Sequence, residues 1–208
     1  MKIWTSEHVF DHNWETVVNA AWQKYPNPMN GAVTGIDVVR QQLDKGQILS
    51  ERVIQSKFHI PSWATTLTGF SGTQYSHEFT TIDPQKKEMS LTTRNLNGNS
   101  FLRVDEKLVY KPLPEDPSKT ILTQEAIVAI TLPAFTEYCE KTFLNVYSTN
   151  ATKGRRGVEW VIDHLKKASE DLQNKVSSEV NELSEKVRSA FNNSTAAPQC
   201  NAQPATTR

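Results

Sequence analysis

The sequence predicts an α+β fold, in which a curved, seven-stranded antiparallel sheet has one face covered by a long C-terminal helix. Two observations lead to this prediction. Seven segments of strand-like composition follow one another, and nearly all are joined by loops too short for a parallel crossover. After the last of them, apolar residues recur every three or four positions over the longest such stretch of the chain, as one face of a helix requires.

Turn signals separate most of the predicted strands. Asp44-Lys45-Gly46 and Asn97-Gly98-Asn99 mark hairpin turns. A polar, proline-rich loop is predicted at residues 112–119, before the last strand. The predicted strands cover residues 2–10, 33–43, 48–58, 74–82, 88–96, 101–110 and 120–131.

A shorter helix is predicted after the first strand. Asp11 or Asn13 can cap it, since the side-chain oxygen of either residue can accept a hydrogen bond from an unpaired backbone N–H. Apolar residues then fall at helical spacing from Trp14 to Trp22. Pro26 predicts the end of this helix, because a proline disfavours helix in the residue before it.

The long helix is predicted over residues 133–168, with Pro133 in its first turn. Its middle is unusual for a core helix, because Asn150 and Lys153 fall on the predicted inward stripe. Gly154 and Gly157 follow, where the missing side chain lets a neighbouring segment pack close. A polar, cationic patch on an inward face needs an explanation other than packing.

One connection is too long for a hairpin loop. Residues 60–72 join the third and fourth strands and include the apolar Trp63, Leu67 and Phe70. Long apolar loops are often lids or binding loops, but this composition also fits a short helix tucked into the core. Both interpretations remain open on the residues alone.

The predicted organisation is one domain, a helical extension and a tail. Dense apolar patterning over residues 1–168 predicts a domain large enough to bury a core. Over residues 169–191 the apolar residues keep helical spacing among charged and polar ones, which favours a partly formed solvated helix over a helix that binds a partner or a membrane surface. Residues 192–208 have the composition of a disordered tail.

Charge and motifs argue against several function classes. The 23 basic and 23 acidic residues give no long-range field for nucleic acid or an anionic membrane. Cys139 and Cys200 predict neither a disulfide nor a metal site. Catalytic and phosphate-binding motifs are missing and the five histidines are scattered, so we expect no enzyme and no cofactor. Without a membrane-spanning run or a presequence pattern, the cytosol or nucleus is the default location.

A curved sheet held by one long helix, with an apolar loop at its mouth, encloses space. Such pockets are mostly apolar, with a few polar groups that orient the ligand. A ligand with acyl chains would use the apolar walls, and Lys24, Asn150 and Lys153 would hold its anionic head. The alternatives are a scaffold whose groove binds a helical partner and a hydrolase that acts on a cavity-bound lipid.

Over residues 1–167 the sequence resembles the PRELI-domain family, and its slowmo branch most closely. The resemblance is carried by MKIWTSEHVFDHNWETV at the start and by the later segments KYPNP, RN, VDE, TQEA, KGR and WVI. It implies a phospholipid-transfer protein of the mitochondrial intermembrane space, which replaces the default location. It also implies transient contact with membranes and a heterodimer with a small, disulfide-bonded helical-hairpin protein. The slowmo branch is associated with phosphatidylserine, and the PRELI branch with phosphatidic acid.

The resemblance also implies which residues form the site. Lys24 matches a basic residue at the pocket floor, and Asn150 and Lys153 match headgroup-contacting positions of the long helix. The loop at residues 60–72, with Pro61, Trp63, Leu67 and Phe70, corresponds to the lid. Relatives that bind phosphatidic acid carry more lysines near the end of the third strand. This chain has Lys57 and His59 there as weaker candidates, so a different headgroup is expected.

Overall fold

The computed structural model describes residues 1–60, 62–131 and 136–194. Its strands are β1 (Lys2–Phe10), β2 (Val33–Asp44), β3 (Gln47–Lys57), β4 (Thr73–Asp83), β5 (Glu88–Asn95), β6 (Leu102–Leu113) and β7 (Asp116–Ile130). Its helices are α1 (Trp14–Trp22), α2 (Ser62–Thr68) and α3 (Thr136–Ser194). Within these ranges, no helix carries an apolar stretch that could span a bilayer.

All seven strands form one curved antiparallel sheet in the order β1-β7-β6-β5-β4-β3-β2. The predicted fold class is confirmed, with a meander from β2 to β7 and β1 added beside β7. The predicted proline-rich loop at residues 112–119 is wrong, because β6 continues to Leu113 and β7 begins at Asp116. A register shift between Pro112 and Leu113 accommodates the proline, so a tight turn replaces the loop.

The edge strand β2 is the least covered part of the sheet. Its pairing with β3 is irregular at two places, between Val33 and Gly35 and between Val38 and Arg40. Two of its large apolar side chains, Val38 and Leu43, are 57% and 75% exposed. The hydrophobic core therefore lies under the other strands.

Alternate side chains of the sheet point toward α1 and α3, and this inner face has three zones. The larger apolar cluster lies at the end where β1 finishes, and includes Phe10, Trp14, Val17, Ile82, Met89, Leu91, Leu108, Tyr110, Leu122, Val158, Val161 and Ile162. The smaller cluster lies at the opposite end and contains Leu102, Val104 and Val128, with Phe101, Ile130, Leu144 and Tyr147 packed against it. Between the two clusters runs a row of polar side chains.

Helix α1 is anchored on the larger cluster. Asn13 caps it as predicted, since the side-chain oxygen accepts a hydrogen bond from the Thr16 N–H at 2.9 Å. Trp14 is buried, and its indole N–H donates to the carbonyl of Tyr110 on β6 at 3.1 Å. The helix ends at Trp22, before the prolines, as its sequence predicts.

Helix α3 turns Tyr147, Val158 and Val161 toward the sheet, as its apolar spacing predicts. The middle of the predicted stripe is wrong, because the inward side there runs through Leu144 and Ala151. The inward placement of Lys153 is wrong, because its side chain is exposed, and Val146 is 48% exposed. Asn150 lies beside the true stripe and is half-buried, while Pro133 is outside the described residues.

Gly157 is where α3 meets the loop that follows α1. The Asn27 side chain accepts hydrogen bonds from the N–H groups of Met29 and Asn30 at 2.9 and 3.0 Å, and its amide donates to the Lys24 carbonyl. A Cβ at Gly157 would lie 2.8 Å from the Asn27 Nδ2. The predicted close approach is confirmed there. It is wrong for Gly154, where a Cβ would meet nothing within 4 Å.

Helix α2 occupies the long connection between β3 and β4. A short helix is confirmed, but it is not tucked into the core at Leu67, which is 54% exposed. Phe70 packs edge-on against Phe101 with the ring centroids 5.6 Å apart, which ties the connection to the smaller cluster. Pro61 and the side chain of Trp63 lie outside the described residues, and the lid function stays a prediction.

The chain divides into two compact units, Met1–Asp163 and His164–Arg208. In the second unit the structure describes the continuation of α3 to Ser194. The extension predicted at residues 169–191 is helical, and its residues are exposed. Of the predicted tail, residues 192–194 belong to α3 and residues 195–208 lie outside the described part.

The two glycines of α3 give a paired test of this packing. Gly157→Ala should lower the free energy of unfolding by about 1–3 kcal/mol, because the new methyl group overlaps a side chain fixed by three hydrogen bonds. Gly154→Ala should raise it by about 1 kcal/mol, since alanine favours helix and meets no neighbour. Urea unfolding of both variants measures the difference, and equal effects would contradict the assigned contact.

Candidate functional site

The polar row on the inner face follows from the register of the strands. Arg52 is paired with Glu78, Glu78 with Thr93, and Thr93 with Glu106. Four neighbouring strands therefore place polar side chains side by side between the two apolar clusters. Charged groups in such a position must be paired or bound to something, because burying an isolated charge is unfavourable.

Arg52 and Glu78 form a closed, buried ion pair. Both residues are less than 10% exposed, and the Arg52 Nε donates to the Glu78 Oε1 at 2.9 Å. The guanidinium also donates to the Trp22 carbonyl at 3.2 Å and lies 4.7 Å from the centroid of the Trp22 ring. The pair thus fixes the end of α1 over β3 and β4, and its role is structural.

Glu106 is the more open carboxylate of the row. It is half-buried and accepts a hydrogen bond from the Gln124 Nε2 at 2.6 Å. Burial raises the pKa of Tyr147, and the nearby Glu106 carboxylate raises that pKa further. The Tyr147 hydroxyl is therefore neutral and lies close to Glu106, on the side of the row that α3 covers.

Two contacts hold α3 over β1 beside this row. Tyr147 packs edge-on against Trp4, with the ring centroids 5.3 Å apart. About two turns further on, the Arg155 Nη2 donates to the Ser6 hydroxyl at 2.5 Å. The helix consequently covers the β1, β7 and β6 side of the row, while the end of α1 covers the β3 side.

Lys24 supplies the second cation of the row. Its ammonium lies 5.1 Å from the centroid of the Tyr25 ring. Burial alone would lower the pKa of Lys24, but Tyr25, Tyr110, Glu78 and Glu106 together outweigh it and raise this pKa above its ordinary value. Lys24 therefore stays charged at every physiological pH. The Asn27 amide, which donates to the Lys24 carbonyl, helps to hold the loop that positions it.

The row, together with Lys24, is close to electrically neutral, since Lys24 and Arg52 offset Glu78 and Glu106. A cationic cradle for a bare phosphate would need an excess of positive charge. A balanced set with a lysine on one side and a carboxylate on the other suits a ligand that carries both signs of charge. Among the described residues, no group of three or more His, Cys, Asp or Glu could hold a metal ion.

Of the predicted headgroup residues, the structure places Lys24 in this row. Asn150 is half-buried on α3, three residues after Tyr147. Lys57, His59 and Lys153 are exposed, the first two at the end of β3 near α2. Their role as headgroup contacts stays a prediction, as does the lid role of Pro61, Trp63, Leu67 and Phe70.

The predicted site residues did not include Arg52, Glu78, Glu106 or Gln124. A signal was present in each strand, because a charged or amide side chain stands at an inward position between residues that are themselves inward. Glu106, for example, alternates with the buried Val104 and Leu108. Only the pairing register between neighbouring strands shows that the four side chains lie together, and the pattern of a single strand does not reveal that register.

A concavity lies on the outer face of the sheet. It is an open groove of about 680 Å³ over β4 to β7. Its lining is mixed in charge, and its outward side chains are His77, Phe79, Thr92, Arg94, Arg103, Asp105, Lys107, Glu125 and Ile127. Thr93 and Glu106, whose side chains belong to the inner row, border it as well. Arg94 and Arg103 both bind Asp105, so these charged groups of the groove already pair with one another.

The chain is similar to a known family and to individual proteins. The model of the PRELI-like family matches residues 15–168. The chain is 31% identical over 198 residues to "Protein UPS2, mitochondrial" of Saccharomyces cerevisiae, covering 90% of this chain and 86% of that protein. It is 33% identical over 169 residues to "Protein slowmo homolog" of Dictyostelium discoideum, covering 80% and 74%.

The fold is also similar to a solved structure with little sequence likeness. Human StAR-related lipid transfer protein 5 matches with a TM-score of 0.50 and 12% identity, covering 76% of this chain and 76% of that chain. At this identity the match describes the fold alone: a curved antiparallel sheet with a long C-terminal helix.

The buried ion pair can be tested by a double-mutant cycle. Arg52→Met should lower the free energy of unfolding by about 3–5 kcal/mol, because it leaves the Glu78 carboxylate buried without its partner. The double variant Arg52→Met/Glu78→Met should recover most of this loss, since two apolar side chains can pack where the ions were. Urea unfolding measures all four proteins. A double variant less stable than either single variant would show that Arg52 and Glu78 do not act as a pair.

Proposed function

The chain belongs to the PRELI-like family, and we propose that it is a non-enzymatic carrier that binds one phospholipid and moves it between the outer and inner mitochondrial membranes. The favoured cargo is phosphatidylserine. The carrier acts by shielding the lipid from water, and no step of bond making or breaking is part of the proposal.

The charged row between two apolar clusters is the observation that carries this proposal. A headgroup placed beside Lys24 and Glu106 would leave its acyl chains pointing toward the smaller cluster of Leu102, Val104 and Val128. That end of the sheet also carries the connection that contains α2, and Phe70 of this connection packs against Phe101 beside the cluster. The lipid would therefore enter headgroup first past α2, and α2 would act as the lid.

The charge balance of the row supports phosphatidylserine over phosphatidic acid. The serine headgroup carries an ammonium as well as two negative groups, so Lys24 can pair with its phosphate or carboxylate and Glu106 with its ammonium. Phosphatidic acid has no ammonium for Glu106 to bind, and its negative phosphate would be repelled by that carboxylate. Asn150 and Lys153 remain candidates for the outer part of the headgroup.

The location and the partner are proposed from the family. A relative named mitochondrial and the resemblance to the slowmo branch support the mitochondrial intermembrane space. There the chain would work as a heterodimer with a small, disulfide-bonded helical-hairpin protein and contact each membrane transiently. Co-purification from the intermembrane space tests this, and a chain found free in the cytosol would argue against it.

The second candidate is a scaffold or regulatory protein whose groove binds a helical partner. The outer-face groove favours it, because the groove is open and partly apolar at Phe79 and Ile127. Native mass spectrometry of the purified complex separates the two functions. A stoichiometric phospholipid supports the carrier, and a lipid-free complex supports the scaffold.

Lys24 is the residue on which the carrier proposal makes its plainest prediction. Lys24→Met should slow the transfer of labelled phosphatidylserine between vesicles about tenfold or more, because a charge-assisted hydrogen bond to the headgroup is worth about 1.5–3 kcal/mol. The matched control is Lys86→Met, which removes an exposed lysine of the β4–β5 turn. If both variants transfer at the wild-type rate, Lys24 does not contact the cargo.

Glu106 should govern which headgroup is selected. Glu106→Gln keeps an acceptor for Gln124 but removes the negative charge, so the preference for phosphatidylserine over phosphatidic acid should fall about fivefold to tenfold. Glu125→Gln, on the outer face of β7, is the control with the same chemical change. Competition between the two lipids in one transfer assay measures the ratio. An unchanged ratio would show that Glu106 does not bind the ammonium of the phosphatidylserine headgroup.

A further inference from the structure

The second compact unit presents an apolar stripe along α3 that nothing in the described structure covers. Leu165 begins it, and Leu172, Val176, Val180, Leu183 and Val187 follow, the last five each more than 50% exposed. A contiguous apolar surface of this kind on a soluble helix marks a site of interaction. The question is which surface it fits.

The spacing of the stripe follows an eleven-residue repeat. Leu165 to Val176, Leu172 to Leu183 and Val176 to Val187 are each eleven positions apart. Eleven residues make close to three full turns of a straight α-helix, so the stripe drifts by only about 20° per repeat. From Leu165 to Val187 it therefore stays on one side of the helix over about 33 Å. Spacings of seven residues occur in the stripe as well, from Leu165 to Leu172, Val176 to Leu183 and Val180 to Val187. The spacing therefore fits a flat surface and a partner helix alike, and the surrounding charges decide between the two.

The charges around the stripe are balanced. Residues 164–191 contain five basic residues (Lys166, Lys167, Lys175, Lys186 and Arg188) and five acidic ones (Glu170, Asp171, Glu179, Glu182 and Glu185). Eight more residues of this segment are Ser, Asn or Gln. A helix without net charge gains nothing from an anionic surface, and it binds where apolar side chains can enter gaps between loosely packed lipids.

The same charges oppose pairing with a second copy. Lys175, Glu179, Glu182 and Lys186 lie along one flank of the stripe, at helical angles within about 60° of one another. In an antiparallel pair with a two-fold axis near position 180, Lys175 would face Lys186 and Glu179 would face Glu182 of the other copy. Like charges would meet at every such contact, which disfavours the pair.

We propose that the stripe of Leu165, Leu172, Val176, Val180, Leu183 and Val187 is a membrane-docking surface that lies in the plane of a zwitterionic, loosely packed bilayer. The apolar side chains enter between the lipids, and the lysines on the flank keep their charged ends at the headgroup level. This surface is separate from the cargo row, and its test does not depend on which lipid is carried.

Vesicle binding by the full chain tests the proposal. Phosphatidylcholine vesicles of high curvature have loose lipid packing, and the protein should co-sediment with them more than with large vesicles of the same composition. Val176→Asp/Val180→Asp should lower binding at least tenfold. The control Ser178→Asp/Asn181→Asp adds the same charge to the opposite side of the helix and should bind as the wild type does. Circular dichroism checks that both variants keep the helix.

Three outcomes would overturn the proposal: no binding by the wild-type chain, equal binding by the two double variants, or binding that requires anionic lipid. Analytical ultracentrifugation tests whether a second copy of the chain covers the stripe instead. A dimer that dissociates in Val176→Asp/Val180→Asp but not in the control variant would assign the stripe to that second copy and overturn the proposal. Native mass spectrometry of the purified chain reports its bound phospholipid without any vesicle. A failure of docking is therefore distinct from a failure of lipid transfer.

Discussion

The structure of the inner face depends on one constraint: the charged side chains buried there must each have a partner of opposite charge or a hydrogen bond. Arg52, Glu78 and Glu106 stand in one row because the register of β3 to β6 aligns them. Once aligned, they determine what can cover them. The end of α1 supplies the Trp22 carbonyl and ring to Arg52, the following loop supplies the Lys24 ammonium, and α3 supplies Tyr147 beside Glu106. The covering elements are thus matched to the row in chemistry as well as in shape.

This arrangement separates two tasks within one domain. The larger apolar cluster, from Phe10 to Ile162, holds the sheet and helices together. The smaller cluster at the other end has three buried members, and its neighbours belong to β6, β7, α3 and the connection that contains α2. An element with few buried contacts opens at a lower free energy than the core. The division places the region most able to open next to the proposed entry path and leaves the stable core untouched.

Much of the architecture followed from local patterns, and the failures have physical reasons. Seven strands, the Asn13 cap and the close approach at Gly157 were predicted because each is specified by neighbouring residues. The middle of the inward face of α3 was predicted wrongly. Val146 and Lys153 are exposed there, and the buried residue is Ala151, which follows the half-buried Asn150. The charged row was missed for another reason. Its members come from different strands, and only pairing between strands brings Arg52, Glu78 and Glu106 together.

The irregular edge at β2 has a consequence for how the chain behaves among copies of itself. A strand at the border of a sheet offers unpaired backbone groups to which another chain can add. Here the shifts next to Val33 and Val38 interrupt the spacing of those groups twice along β2. An incoming strand would have to break its own hydrogen-bond ladder at both places. The bulges therefore protect the domain against edge-to-edge aggregation, although Val38 and Leu43 leave apolar surface exposed beside them.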